Sequence, residues 1–345
     1  MTPGPGQNAT QRASASQQES ARPHTSDAPH AGDVPCASGP PRERVRRLRV
    51  AGLAYAYRVL EQPRPRTEPL IVLGGALQGM YGWTHLEDAI GPVADVVTAD
   101  LPGMGDSDPL RPEQDSALLC TAVAHIIDDL GVPRVNLFGY SYGSAIAFGY
   151  AQRRPERVAR LVLGGVPAHI TPAQQAHWGR AADQLAAGQA EAFADLAAES
   201  MLCADPARPV HRRDLAHRYV RRSLLRTVLR TPHAMAVLDR AMHRRLPLTG
   251  GLSGVPTLVF SGEHDTVSSP AHQRAFASTI TPSTFRVIPE TDHWAVLERP
   301  EAVADLTRRF LMGELLGADG SPGLPPGSRP LPTARRGAAP SPGTP

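Results

Sequence analysis

The sequence predicts an α/β fold in which a mostly parallel sheet of eight strands is flanked by helices. Short runs rich in β-branched residues alternate with helical patterns over residues 43–316. One stretch, 170–250, interrupts this alternation with helical spacing and contains no convincing strand. Both ends of the chain are rich in its 35 prolines and 31 glycines, which is a composition typical of disordered segments.

Eight runs are predicted to be strands, and the first two are expected to form a hairpin. Pro69 precedes the third run, and Asp100 closely follows the fourth. Helical patterns separate most of the later runs, so these strands are expected to lie parallel in the sheet. The predicted strands cover residues 48–50, 54–60, 70–73, 93–98, 134–138, 158–163, 256–260 and 284–288.

Helical patterns fill the gaps between these strands. Gly131 is expected to end one helix, and Pro300 to open the last one. Inside 170–250 we expect three helices: one around Trp178 to Leu196, one around Leu215 to Val228, and a third that Thr231-Pro232 opens and that runs through Met242. The other predicted helices cover residues 83–90, 115–130, 141–153 and 300–310.

These patterns predict four parts of the chain. Residues 1–42 and 317–345 are expected to be disordered tails, because they have too little apolar surface to offset the loss of chain entropy. Residues 43–169 and 251–316 together are predicted to form the α/β core. Residues 170–250 are predicted to be an all-helical cap, inserted after the sixth strand.

Composition excludes several classes of function. The chain has 36 basic residues, all arginine, so Schiff-base chemistry on lysine is excluded. No dense basic run interleaved with aromatics is present, which argues against nucleic-acid binding. No run approaches the length of a membrane span and no signal peptide is recognisable. Cys36, Cys120 and Cys203 have neither metal nor disulfide spacing, so a cytoplasmic protein is expected.

The pentapeptide Gly139-Tyr140-Ser141-Tyr142-Gly143 is the sharpest motif. It follows a predicted strand directly and precedes a predicted helix, a context in which the serine lies in a strained turn with its Oγ exposed above the sheet. Glycines two residues away on either side are needed because a Cβ would collide with neighbouring backbone. We therefore predict that Ser141 is a nucleophile; the alternative is an ordinary strand–helix turn.

A serine nucleophile needs a base and a carboxylate that orients the base. Among 13 histidines, His293 follows the last predicted strand through a short loop and precedes the final helix. Asp265 follows the preceding strand, so both are expected at the carboxyl edge of the sheet. Glu263 is expected to tighten the turn, and Asp292, the sequence neighbour of His293, is badly placed to bond its Nδ1. A surface-loop histidine and a loop-capping aspartate are the alternatives.

Donors for a developing oxyanion are predicted in the glycine-rich loop 74–79 after the third strand. The two glycines Gly74 and Gly75 leave backbone N–H groups accessible. We expect the N–H groups of Ala76 and Tyr142 to face the oxyanion. Gln78 is either an additional side-chain donor or a residue that stabilises the loop.

Together these motifs resemble the α/β-hydrolase superfamily over about residues 45–312. The serine turn, the Gly-Gly loop, the segments 100–107 and 262–265 and the pair Asp292-His293 occur in the order found in that family. The resemblance implies a serine hydrolase with a helical cap, without cofactor or metal. Many members have a histidine where this chain has Gly74, a departure that concerns the geometry of the loop.

The resemblance implies an acyl-enzyme on Ser141 and hydrolysis of an ester or thioester of a small to medium organic acid. Tyr140, Tyr142, Trp178 and Trp294 are expected to line an apolar cleft. Acyl transfer, carbon–carbon bond hydrolysis with the same residues, and a non-catalytic ligand-binding protein remain alternatives. The oligomeric state stays open.

The partner is expected to be a small-molecule acyl compound. The sequence leaves open whether that compound is neutral, anionic or bound to a carrier. Residues 208–245 hold eleven arginines against two aspartates. The arginines Arg218, Arg221, Arg222 and Arg226 either attract an anionic substrate or form a solvated helix face.

Overall fold

The structure is a computed structural model that describes residues 42–314, with the exception of 232, 234 and 244–247. The predicted tails lie outside the described residues, except at Arg42. That residue opens the first strand, so the folded part begins one residue earlier than predicted.

An eight-stranded sheet forms the centre of the molecule. Its strands are β1 (Arg42–Val50), β2 (Leu53–Glu61), β3 (Leu70–Leu73), β4 (Val96–Asp100), β5 (Val135–Tyr140), β6 (Val158–Gly164), β7 (Leu252–Gly262) and β8 (Ile280–Ile288). The order across the sheet is β1-β2-β4-β3-β5-β6-β7-β8. Strand β2 is antiparallel to β1 and β4, and the other neighbouring pairs are parallel. The predicted fold class is confirmed.

Two strand boundaries differ from the prediction for identifiable reasons. The apolar residues Val93 and Ala94 were predicted to begin a strand, but their N–H groups donate to the carbonyl of Ile90. They therefore close the end of a helix, and β4 starts at Val96. Strand β8 starts at Ile280, before Pro282 and four residues earlier than predicted. Proline is tolerated there because β8 is an edge strand of the sheet.

Helices cover both faces of the sheet. Alternate residues of β3 point to opposite faces, so Ile71 and Leu73 pack in one apolar cluster and Leu70 and Val72 in another. The first cluster includes residues of α2 (Ser116–Leu130), α3 (Tyr142–Arg153) and α8 (Pro270–Ala277). The second includes residues of α1 (Thr84–Ile90), α9 (Ala295–Glu298) and α10 (Pro300–Leu311).

Among the described residues, four helices lie between β6 and β7, and we call the segment that they form the helical insertion. They are α4 (Pro172–Ala186), α5 (Ala190–Ser200), α6 (Arg213–Arg230) and α7 (Met235–His243). The single helix predicted around Trp178 to Leu196 is wrong, because Gly188 adopts a positive φ of 76° between α4 and α5. Thr231 follows the last residue of α6 instead of opening α7. Within the described parts of the chain, no helix is both long and apolar enough to cross a membrane.

The order of the strands determines where a site can form. The chain runs outward from β3 to β4 and then returns to place β5 on the other side of β3. Loops that leave the carboxyl ends of β3 and β5 therefore diverge and open a crevice between them. The segments that carry Ala76 and Ser141 leave from these two ends.

Candidate active site

Ser141 lies in a sharp turn between β5 and α3. Its φ of 49° and ψ of −118° are sparsely populated for a residue with a side chain and cost about 1–3 kcal/mol. Hydrogen bonds hold the turn: the Ser141 N–H donates to the Gly164 carbonyl at 2.8 Å, and the Ser144 hydroxyl donates to the Ser141 carbonyl at 2.5 Å. The surrounding structure thus maintains the strained backbone that the pentapeptide predicted.

The flanking glycines are required by close backbone approach. A Cβ on Gly139 would lie 2.6 Å from the carbonyl oxygen of Gly143. A Cβ on Gly143 would lie only 2.1 Å from the carbonyl oxygen of Leu73, at the end of β3. Any larger residue at these positions would push α3 away from the sheet and move Ser141 with it.

The structure brings His293 to Ser141. The loop 289–294 joins β8 to α9 and carries His293, whose Nε2 lies 3.0 Å from the Ser141 Oγ. Its Nδ1 lies 3.1 Å from Oδ2 and 3.2 Å from Oδ1 of Asp265. His293 is 4% exposed, and the phenol of Tyr140 donates to its backbone carbonyl at 2.5 Å. We call Ser141, His293 and Asp265 the Ser–His–Asp array.

Asp265 is held in place by its own turn. Its Oδ1 accepts hydrogen bonds from the N–H groups of Val267 and Ser268 at 2.9 and 2.7 Å. The carboxylate is 96% buried (4% exposed), and its second oxygen faces His293. Glu263 instead accepts the N–H of Glu290 at 2.9 Å, so it links two loops and does not contact His293.

Sequence reasoning missed the contribution of Gln273. This side chain of α8 is fully buried. Its amide nitrogen lies 3.3 Å from Asp265 Oδ2 and 2.8 Å from Ser261 Oγ, and its Oε1 accepts the N–H of Val166 at 3.0 Å. A glutamine three residues before the buried Phe276 on a short helix was the available signal, since polar residues on a buried face must find partners.

The pKa of His293 is raised above its ordinary value. Burial alone would lower the pKa, because it disfavours the imidazolium. The charge and hydrogen bond of Asp265, together with the charge of Asp292, outweigh burial. A base with this environment binds a proton more readily than a free imidazole does.

The glycine-rich loop lies against Ser141. A Cβ on Gly75 would stand 3.4 Å from the Cβ of Ser141. Gln78 closes the loop, because its Oε1 accepts the Gly75 N–H at 2.9 Å and its own N–H donates to the Gly75 carbonyl at 2.9 Å. Ala76, which follows Gly75, lines the cavity beside Ser141, and Tyr142 is the first residue of α3.

Asp100 holds the far end of the same loop. Its Oδ1 accepts the N–H of Met80 at 2.9 Å, and the hydroxyl of Ser107 donates to its backbone carbonyl at 2.6 Å. Burial raises the pKa of Asp100 to about 6, which the Met80 hydrogen bond partly offsets. The end of β4 therefore supports the segment that approaches Ser141.

A cavity opens beside the Ser141 hydroxyl. Tyr140 and Trp294, two of the residues expected at an apolar cleft, contribute to its wall together with Gln78. The helical insertion and neighbouring loops supply much of the apolar remainder, which includes Leu77, Pro167, Ile170, Met201, Leu238 and Val267. Tyr140 and His293 are the only titratable groups among the described residues that line it.

A family model described as alpha/beta hydrolase fold matches residues 68–300, which is more than half of the chain. The chain belongs to the α/β-hydrolase family. Solved structures agree with this hydrolase fold. A thermophilic esterase from Thermogutta terrifontis is 22% identical with a TM-score of 0.63, over 78% of this chain and 98% of that one. The enol-lactonase from Burkholderia xenovorans LB400 is 22% identical with a TM-score of 0.64, over 77% and 100%.

Curated relatives of the hydrolase match a shorter part of the chain. The 2-hydroxy-6-oxo-6-phenylhexa-2,4-dienoate hydrolase of Comamonas testosteroni is 35% identical over 114 residues, which are 30% of this chain and 40% of the relative. The soluble epoxide hydrolase of Corynebacterium sp. (strain C12) is 31% identical over 103 residues, 30% of this chain and 36% of the relative. The matched segment thus spans two fifths or less of the length of these relatives.

The hydrolase places Trp178 elsewhere than predicted. Trp178 is 2% exposed and packs edge-on against Phe193, with ring centroids 6.0 Å apart, in the apolar core of the helical insertion. It is not among the described residues that line the cavity. Helical spacing indicates that this face of the helix is buried. It does not distinguish burial in the core of the helical insertion from burial at the cavity. Tyr142 is also absent from the described lining, because it packs in the core of the sheet.

The arginines of α6 lie away from the cavity. Arg221 forms ion pairs with Glu191 and Asp195 of α5. Arg218, Arg222 and Arg226 are exposed, on the side of the helix opposite its buried residues. None of the four is among the described residues of the cavity wall.

Proposed function

We propose that this hydrolase cleaves an ester or thioester of a small to medium organic acid through an acyl-enzyme on Ser141. The observation that carries the proposal is the 3.0 Å contact between Ser141 Oγ and His293 Nε2 beside an apolar cavity. This contact gives a hydroxyl the base that it needs to attack a carbonyl at neutral pH. The helical insertion acts as the cap of the site, since it supplies part of the cavity wall.

The mechanism follows from the positions of the groups. Ser141 Oγ attacks the acyl carbon while His293 Nε2 takes the hydroxyl proton, and Asp265 stabilises the resulting imidazolium. The N–H groups of Ala76 and Tyr142 donate to the oxyanion of the tetrahedral intermediate. His293 then gives its proton to the departing alcohol or thiol. Water activated by the same nitrogen attacks the acyl-enzyme and releases the acid.

The cavity favours an uncharged acyl group. Its described wall offers apolar side chains and no arginine, aspartate or glutamate. A carboxylate moved from water into such surroundings without a partner loses several kcal/mol of solvation. The acyl part is therefore proposed to be apolar, and the exposed arginines of α6 are proposed to form a solvated face.

Carbon–carbon bond hydrolysis is the second candidate, and it is favoured by the relatives. The Comamonas testosteroni relative is named as a hydrolase of a dienoate, which carries a carboxylate. The same Ser–His–Asp array would serve that reaction. The uncharged cavity wall argues against it, because such a substrate brings an anion that needs a cationic partner.

A matched pair of esters tests the proposal. p-Nitrophenyl butyrate and p-nitrophenyl hemisuccinate have acyl chains of equal length that differ in one terminal carboxylate. We expect kcat/KM for the butyrate to exceed that for the hemisuccinate by at least about tenfold. Ser141→Ala supplies the background rate. Preference for the hemisuccinate, with a rate that falls as salt is added, would show that the arginines steer anionic substrates. Turnover of 2-hydroxy-6-oxo-6-phenylhexa-2,4-dienoate, without turnover of either ester, would establish carbon–carbon bond hydrolysis instead.

A further inference from the structure

Asp292 makes contacts that the proposed chemistry does not use. Its side chain is 1% exposed and does not bond the His293 ring. Its Oδ1 accepts the N–H of Trp294 at 2.9 Å, and its Oδ2 accepts the N–H of Cys203 at 2.8 Å. Cys203 lies in the helical insertion, between α5 and α6. One carboxylate therefore connects the His293 loop (residues 289–294) to the segment that helps to cover the cavity.

Glu298 holds the backbone of the same residue. Its Oε2 accepts the Asp292 N–H at 2.7 Å, and it is fully buried on α9. Its Oε1 has no hydrogen-bond partner among the described residues. Burial, with a contribution from the neighbouring Asp292 carboxylate, raises the pKa of Glu298 to about 10.

Two further contacts join the helical insertion to the His293 loop. The N–H of His211, also in the helical insertion, donates to the carbonyl of Glu290 at 2.7 Å. Trp294 lines the cavity and packs edge-on against Tyr219 of α6, with ring centroids 6.1 Å apart. The helical insertion therefore contacts the His293 loop at Glu290, Asp292 and Trp294.

We propose that Asp292 is a positioning residue whose carboxylate fastens the His293 loop to the helical insertion through the N–H of Cys203, while Glu298 holds the Asp292 backbone. The inference rests on the proposed function, because it gives His293 the role of base.

Two isosteric variants separate a charged positioning residue from a structural one. The ionisable groups next to His293 are Asp265 from the turn after β7, Tyr140 from β5 and Asp292 from its own loop. Glu298 of α9 lies behind them, against Asp292. Asp292→Asn replaces one carboxylate oxygen by an amide NH₂ group. That group would face the N–H of Cys203 or of Trp294, which the carboxylate accepts in the wild type. Glu298→Gln keeps an acceptor for the Asp292 N–H and leaves the Asp292 carboxylate in place.

Because the natural substrate is unidentified, the probe is a fluorophosphonate. The second-order rate of labelling is measured from pH 5 to 9 in the full chain of each variant. In Asp292→Asn we expect a plateau rate about tenfold lower. The midpoint of the acid limb should move about half a pH unit lower, because a lost negative charge makes the imidazolium less stable. In Glu298→Gln, the midpoint of the acid limb should stay at the wild-type value, whatever the plateau of the labelling rate.

Hydrogen exchange supplies a readout that is independent of activity. A peptide that contains the amide of Cys203 should lose protection in Asp292→Asn and keep it in Glu298→Gln. A lower plateau with an unmoved midpoint would mean that Asp292 acts only through packing, which overturns the inference. Equal midpoint shifts in both variants would mean that the shift does not depend on the Asp292 carboxylate in particular, which also overturns the inference. If the wild type is not labelled at all, the proposed function fails, and protection at Cys203 still tests the contact.

Discussion

Replacing Gly143 by alanine places a methyl group where the fold leaves no room for one. The new Cβ would lie 2.1 Å from the Leu73 carbonyl oxygen and 2.5 Å from that of Gly74. Carbon and carbonyl oxygen ordinarily approach to about 3.3–3.6 Å. The turn at Ser141 and the loop that carries Ala76 must therefore separate by about 1 Å. A misplacement of about 1 Å in an active site can cost about 10²-fold in rate.

We expect Gly143→Ala to lower the fluorophosphonate labelling rate by at least about 10²-fold and the free energy of unfolding by about 1–3 kcal/mol. Gly179→Ala is the matched control, because a Cβ there meets nothing within 4 Å inside α4. The control variant should be labelled at the wild-type rate. Its free energy of unfolding should rise by about 0.5–1 kcal/mol, because alanine is more stable than glycine inside a helix. If Gly143→Ala labels within about threefold of the wild type at an unchanged unfolding midpoint in urea, the steric argument is refuted.

Four further outcomes are expected. Asp265→Asn should lower kcat on p-nitrophenyl butyrate by about 10⁴-fold, and a loss below about tenfold would contradict its orienting role. Because the pKa of His293 is raised and only the neutral ring is a base, the acid limb of kcat/KM should lie above about pH 6.5; a midpoint below this value would contradict the charge balance. Gln273→Leu removes one hydrogen bond to Asp265 and the acceptor of the buried Val166 N–H, so urea unfolding should show a loss of about 2–4 kcal/mol, and an unchanged stability would count against this role. Trp178→Phe should lower the melting temperature and leave KM unchanged, whereas Trp294→Phe should change KM; a changed KM in the first variant would place Trp178 at the cavity.

The fold was predictable because each local pattern constrains the chain by itself. The alternating runs gave the sheet, and the glycines around Ser141 specified a turn that few other residues allow. The order of Ser141, Asp265 and His293 along the chain predicted which strand ends must meet. The structure places these side chains within hydrogen-bonding distance.

The contacts that depend on packing were not predictable in the same way. Cys203 and Asp292 are 89 positions apart, and nothing local to either residue indicates the other. Trp178 has the spacing of a buried residue in both possible surroundings, so periodicity could not separate the core of the insertion from the cavity. The break at Gly188 was missed because apolar spacing continued across it, although the glycine was a signal for a helix end.

The central claim is that Ser141 is a nucleophile activated by His293. Intact-mass measurement and peptide mapping after fluorophosphonate treatment test it directly. We expect one adduct per chain, located on Ser141, with no adduct on Ser141→Ala and a strongly reduced labelling rate for His293→Gln. An adduct on another residue, or equal labelling of Ser141→Ala and the wild type, would contradict it.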